Sequence, residues 1–273
     1  MENIDIKEIS EKVKKLGAIG VNNFLNNRNL ELVSKILKDV QEKGVTKGNY
    51  TGVYPVTTKN ILVKILKLDF NQVKKSFLLK NIAKDLHLEK IAENILNDKV
   101  DLHMIDSYYN AKSDKNIISW HCDRADAAAN PNTSMRLHHR SVKFFIYMTN
   151  AESSNGCLGY IPYSHKVVNA LSNLVINKKI EYKTFWGLED LRIQVSNHPV
   201  RDLIVKEIGE DKLNSFLNNS KFIEDQQKDT FEFDFEMRKG SVVIFDEFGV
   251  HRGAMPKKNN RLVLRFHYRK INQ

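Results

Sequence analysis

The first hundred residues repeat their apolar positions at helical spacing. IKEISEKVKKLG carries Ile6, Ile9, Val13 and Leu16 on one stripe and stops at Gly17. A short apolar piece, AIGVNNFL, follows. NRNLELVSKILKDVQEKG then presents Leu30, Leu32, Val33, Ile36, Leu37 and Val40 as an amphipathic face ending at Gly44. A third helical region, from Asp69 to Leu96, carries Phe70, Val73, Phe77, Ile82, Leu86, Ile91 and Ile95.

The pattern changes at Val100. LHMIDSYY, ISWHCD, VKFFIYMT, CLGYIP, TFEFDFEM, SVVIFD and RLVLRFHY are short segments rich in β-branched and aromatic residues. Turn chemistry (KSDKN, SSNG, RKG and MPKKNN) separates them. Such spacing predicts an antiparallel sandwich or barrel. Residues 165–229 interrupt it with two helical stretches, HKVVNALSNLVINKK and HPVRDLIVKEIGEDKLNSFL. An insertion of that length between strands is expected to act as a lid. The expected layout is one α+β domain over 1–273, mainly β with helices. It has a helical N-terminal layer (1–99), a β core (100–164 and 230–270) and a lid insertion (165–229).

Composition narrows the class. The 273 residues are 41% hydrophobic, enough for a sizeable core, which excludes wholesale disorder. Two cysteines, Cys122 and Cys157, cannot make a disulfide framework or a Cys-rich zinc site. The charged start MENIDIKEISEKVKKLG does not read as a secretory signal, and the apolar runs are strand length. A soluble, cytoplasmic protein with no membrane partner is expected. The formal charge of +10 points to an anionic partner, whether nucleic acid, an acidic membrane surface or a small anion. The competing explanation is lysines scattered over solvated faces, since no run of five or six like charges occurs.

The chemistry concentrates in Trp120-His121-Cys122-Asp123. On a strand, His121 and Asp123 project to one face and Cys122 to the other. Imidazole beside carboxylate suits a divalent metal of intermediate hardness. One further His would complete a two-His, one-carboxylate facial triad of the Fe(II) oxygenase kind. His251 is the candidate, because it follows the strand-and-turn segment GSVVIFD. Arg261, ten residues later, opens RLVLRFHY and offers a bidentate partner for a dicarboxylic co-substrate. Arg265 lies on the same face, and the sequence alone leaves both open.

The ordered set W-H-x-D, N-G-C-L, P-x-S-H-K and G-S-V-V-I-F-D…H-R-G…R resembles the phytanoyl-CoA dioxygenase family of Fe(II)- and 2-oxoglutarate-dependent oxygenases. The resemblance runs from about Ala18 to Tyr268. It implies a double-stranded β-helix (jelly-roll) core, iron held by His121, Asp123 and His251, and 2-oxoglutarate anchored by Arg261. It also implies co-substrate contacts near His103 and Ser107, which share a face by alternation. Asn155-Gly156-Cys157-Leu158 matches the family's turn before a strand, so Cys157 is expected to be buried and not a nucleophile. Three positions depart from the pattern. Tyr163 replaces the usual Gly of P-G-S-H-K, Gly253 lacks a hydroxyl that some relatives use, and His103 replaces an amide or thioether.

The resemblance implies oxidation of a small molecule by O2, with 2-oxoglutarate converted to succinate and CO2. Retention of Asp123 favours hydroxylation, since related halogenases lose that carboxylate. Arg124, Arg136, His138, His139 and Arg140 are candidate contacts for an anionic group on the substrate. Two other classes compete. A nucleic-acid dealkylase would use the positive charge, but no aromatic-interleaved basic stripe is present. A non-catalytic cupin-like module would not need the triad and the following arginine together.

Overall fold

In the computed structural model, the residues described are 5–123, 140–153, 155–181, 186–226 and 230–271. The chain begins with α1 (Ile6–Leu16), capped by the Asp5 side chain on the Glu8 N–H and ended by Gly17 in the left-handed region at φ 95°. There follow β1 (Ala18–Val21), α2 (Asn27–Ile36), α3 (Lys38–Lys47) and β2 (Asn49–Tyr54). The helical layer ends with α4 (Thr58–Leu66), α5 (Phe70–Asp85) and α6 (Leu88–Leu96). The amphipathic stretch expected to end at Gly44 is two helices, α2 and α3, meeting at Leu37 and running on to Gly48.

Four strands come next: β3 (Val100–Asn110), β4 (Ile118–Cys122), β5 (Ser141–Tyr147) and β6 (Leu158–Tyr160). The insertion holds α7 (Ser164–Ile176), β7 (Trp186–Gly187), α8 (Leu188–Ser196), α9 (Val200–Ile208) and α10 (Glu210–Asp225). The chain returns through β8 (Asp234–Phe235), β9 (Val242–Asp246), β10 (His251–Gly253) and β11 (Arg261–Lys270).

The strands form two antiparallel sheets. The larger has the order β1-β9-β5-β11-β3-β2 and the smaller β7-β4-β10-β6-β8. This is the α+β architecture with a jelly-roll core that the sequence predicts. The N-terminal hundred residues are not purely a helical layer, however. Their β1 pairs with β9 and their β2 with β3, so they supply both edges of the larger sheet.

Alternation assigns the two faces of that sheet. Val142, Phe144 and Ile146 of β5, with Leu262, Leu264 and Phe266 of β11, turn outward onto α1, α2, α3, α5 and α6. Burial of each such side chain contributes roughly 1.5–3 kcal/mol, which is why this face is mostly apolar. The opposite residues, among them Tyr147, Val243, Phe245 and Val263, face inward toward the smaller sheet. The insertion has a separate core. Val167, Leu171, Leu191, Ile204 and Phe216 pack on Trp120 and Cys122. Trp120 and Cys122 alternate with His121, so α7–α10 back the face of β4 that turns away from it. A lid was expected from 165–229; through this core the described helices of the insertion are anchored behind β4.

Candidate metal centre

His121 and His251 are register partners in the antiparallel pair β4·β10. Directly opposed residues project to the same side, and the two rings stand 4.5 Å apart, centroid to centroid. Asp123 follows His121 by two residues and joins them. One ligand atom from each of the three lies within 4.8 Å of the others.

Backbone carbonyls orient both imidazoles. His121 Nδ1–H donates to the Ser119 carbonyl at 2.7 Å, and His251 Nδ1–H donates to the Gly249 carbonyl at 2.9 Å. That fixes the tautomer and leaves each Nε2 as a lone pair, the form in which histidine ligates a metal. The two Nε2 atoms stand 3.2 Å and 3.4 Å from the Asp123 carboxylate oxygens. Cis donors on bonds of roughly 2.1 Å are about 3 Å apart, so these spacings suit one ion. Lone-pair nitrogens aimed at an ionised carboxylate repel unless a cation lies between them. The donor set fits iron(II).

The electrostatics agree. Burial alone would raise the Asp123 carboxyl, but the charge of the Lys143 ammonium leads the opposing effects, and the group is held well below the usual carboxylate range. Burial lowers the basicity of His251, which keeps it neutral. Lys143, buried on the inner face of β5, reaches the Asp123 carboxylate and stands 3.4 Å from Glu247. Glu247 in turn lies 3.2 Å from His267 Nε2. Burial opposes its charge, but Lys143 and His267 prevail and lower its pKa to about 2. The sequence reading missed Lys143 and Glu247. A lysine inside the apolar run VKFFIYM was the available signal.

The two candidate arginines differ. Arg265 is bound to Asp106 by two hydrogen bonds, and Tyr108 also donates to that carboxylate at 2.7 Å. Arg261 is buried, with Nη1 on Asn110 at 3.3 Å and its guanidinium over the Tyr147 and Phe145 rings. Its Nε and Nη2 are buried with no hydrogen-bond partner among the described residues. A chain of aromatic contacts, Phe145 to Phe245 to His251, leads from Arg261 to the triad.

Gly156, at φ 79°, lies against Arg261, and an added Cβ would stand 2.9 Å from the arginine Cδ. Asn155 accepts from the Lys258 and Asn259 N–H groups, pinning the loop that leads into Arg261. The N-G turn is therefore built into the arginine's site. Cys157 is fully buried and burial pushes its thiol pKa up, as expected of an inert residue.

His103 and Ser107 are separated. A bulge pairs His267 with Met104 and Tyr268 with Leu102, leaving His103 as the extra residue. The bulge resets the alternation, so His103 packs edge-on to the inward His267 ring at 5.3 Å. Ser107 faces outward, 3.4 Å from the Tyr54 hydroxyl in the helical-side core. The expectation that both touch the co-substrate is corrected for Ser107, which lies on the wrong face of β3. Arg140 is occupied by an ion pair with Asp246. Arg124, Arg136, His138 and His139 lie outside the described residues. Tyr163 adopts the left-handed region at φ 65°, which explains why glycine is usual at that turn.

The profile of the phytanoyl-CoA dioxygenase (PhyH) family matches residues 15–255. The chain belongs to this family. The coarse activity that follows from membership is an iron- and 2-oxoglutarate-dependent enzyme of oxygenase type. The match includes the whole triad and stops six residues before Arg261. No curated protein matches the chain significantly.

Solved structures share the fold of this family member at low identity. The epimerase SnoN, in complex with Fe3+, alpha-ketoglutarate and nogalamycin RO, is 12% identical, with 97% of this chain and 83% of that one covered at a TM-score of 0.55. The alpha-ketoglutarate-dependent carbocyclase SnoK from nogalamycin biosynthesis is 13% identical, with coverages of 98% and 85% and a TM-score of 0.56. Iron-bound HygX from Streptomyces hygroscopicus is 14% identical, with coverages of 97% and 86% and a TM-score of 0.55. No helix among the described residues is long and apolar enough to cross a membrane.

Proposed function

We propose that this chain is an Fe(II)- and 2-oxoglutarate-dependent dioxygenase that hydroxylates a small-molecule metabolite and turns 2-oxoglutarate into succinate and CO2. His121, Asp123 and His251 hold the iron, and Arg261 binds the distal carboxylate of 2-oxoglutarate. The observation that carries the reading is the pair of carbonyl-oriented imidazoles presenting Nε2 lone pairs to one ionised carboxylate. Iron(II) bound there supplies oxidative decarboxylation of the 2-oxo acid by O2 and the oxidation of a C–H bond.

The protein's own residues divide the remaining work. Arg261 offers two nitrogens with no hydrogen-bond partner among the described residues, matching a carboxylate that needs a bidentate donor. Phe145, Tyr147 and Phe245 wall the space between that arginine and the triad and keep water from it. Lys143 stands between the Asp123 and Glu247 carboxylates, so the three groups together carry one net negative charge. His103, Lys143, Glu247 and His267 lie toward the end of β3 and β11 remote from Arg261, so the substrate approaches past charged and polar groups. The epimerase and carbocyclase named above have the same fold, so the fate of the oxidised carbon rests on the substrate.

The test is succinate release from 2-oxoglutarate, with Fe(II) and O2, against a panel of polar metabolites. Anaerobic Fe(II) and 2-oxoglutarate should give a visible charge-transfer band in the wild type and none in His121→Ala or His251→Ala. Full succinate production by Asp123→Ala would overturn the assignment of the triad.

A further inference from the structure

The segment from α4 into α5 exposes more apolar surface than a solvated helical hairpin needs. None of the nine side chains of α4 is buried against the described residues. Leu62 and Leu66, one turn apart, point away from the body, and Leu66 is 83% exposed. Leu68, in the turn between the helices, is 76% exposed. On α5, Phe70 and Phe77 continue the exposed row at a spacing of seven, with exposed Lys74 between them. The opposite face of α5 buries Leu79, Ile82 and Ala83 in the core, so the helix is anchored while its outer face is bare. Contiguous exposed apolar side chains of this size mark an interaction surface.

Charge identifies the partner. Residues 58–80 hold six lysines, of which Lys64 pairs with Asp69 at 3.0 Å and Lys75 with Asp39, so six less two leaves a local surplus of four. Two copies joined face to face would bring this surplus against itself, which disfavours a symmetric dimer through the patch. A nucleic acid would use the lysines but gain little from exposed leucines. Leucine and phenylalanine rimmed by lysine fit an interface that is anionic at its surface and apolar just beneath.

We propose that α4 and the start of α5 dock the protein on the surface of an anionic lipid bilayer. Leu62, Leu66, Leu68 and Phe70 enter the headgroup boundary, and Lys59, Lys67 and Lys74 lie against the anionic headgroups. This is surface association of a folded enzyme, independent of the metal centre.

The test is co-sedimentation of the full chain with vesicles of phosphatidylcholine alone or of phosphatidylcholine with phosphatidylserine. The wild type should sediment with the phosphatidylserine vesicles, and salt should release it. A Leu66→Ser, Leu68→Ser double variant should lose binding while keeping the wild-type melting curve, because both side chains are exposed. Replacing Lys59, Lys67 and Lys74 by Gln should weaken binding by about fivefold per lysine. The proposal is overturned if the wild type ignores anionic vesicles, if it binds neutral vesicles equally, or if neither variant differs from wild type. It is also overturned if the wild type is a dimer in solution that the leucine variant dissociates.

Discussion

Arg265 closes on Asp106 through two hydrogen bonds, Nε to Oδ1 at 2.9 Å and Nη2 to Oδ2 at 2.6 Å. The two residues are register partners in β11·β3, so the pair forms without bending either strand. A guanidinium already matched by a buried carboxylate has little left for a dianionic co-substrate. Arg261, two pleat repeats further toward the loop, faces the neutral Asn110 instead. The difference between two arginines on one face thus comes from what β3 places opposite each.

Substituting the two arginines should separate binding from folding. Arg261→Ala is expected to raise the KM for 2-oxoglutarate by roughly tenfold or more with little change in melting temperature, as loss of a charge-assisted pair predicts. Arg265→Ala leaves the buried Asp106 carboxylate without its guanidinium and with the Tyr108 hydroxyl still on it, at a cost of about 3 kcal/mol. It should lower the melting temperature by several degrees. A 2-oxoglutarate titration beside a thermal melt reads both, and the reverse pattern would reassign the anchor to Arg265.

Gly156→Ala tests the arginine's position without removing it. The residue stands at φ 79°, and its new Cβ would lie 2.9 Å from Arg261 Cδ. The backbone penalty is about 1–2 kcal/mol, and the guanidinium must shift. The expected result is a raised KM for 2-oxoglutarate with kcat nearly preserved at saturation. An unchanged KM would mean that the arginine's placement does not matter.

Lys143 predicts a response to metal. Its ammonium sits between the Asp123 and Glu247 carboxylates in a buried setting. Lys143→Met removes that cation and leaves two acids facing each other, so the metal-free protein should melt lower than wild type. An added divalent ion restores positive charge beside Asp123. Its stabilisation of the variant should therefore exceed its stabilisation of wild type. Thermal melts with and without Ni(II), which avoids oxidation during the scan, give the comparison. Equal shifts in both proteins would sink the idea.

Much of this was legible where chemistry and periodicity coincide. W-H-x-D places two ligands on one face by alternation alone, and N-G announces a turn through the left-handed conformation of Gly156. The β2 edge was harder to read, because the strand is short and reaches its partner β3 only across α4, α5 and α6. Ser107 was misplaced for a specific reason. A single bulge at His103 inverts every later side chain of β3, and nothing in LHMIDSYY marks it. The arginines could not be separated because Asp106 and Asn110 act only through cross-strand register. The packing of the insertion on Trp120 and Cys122, at the back of β4, is a matter of tertiary contact that its length does not announce.

The polar end of the site also predicts a pH response. Burial, with help from nearby Arg269, lowers the His103 pKa from 6.5 to about 4. The unfolded chain therefore takes up this proton as pH falls through 6.5, while the folded chain refuses it until about pH 4. Stability should be full above pH 6.5 and decline between there and pH 4, since the unfolded state then binds more protons. Glu247 acts in the same direction at lower pH, because its carboxyl is held near 2 against an ordinary 4.5. Denaturant midpoints measured across this range should fall on acidification. In His103→Asn, which cannot titrate, the decline between pH 6.5 and 4 should flatten while the loss below pH 4.5 remains. An identical profile in the variant would show that other groups carry the response.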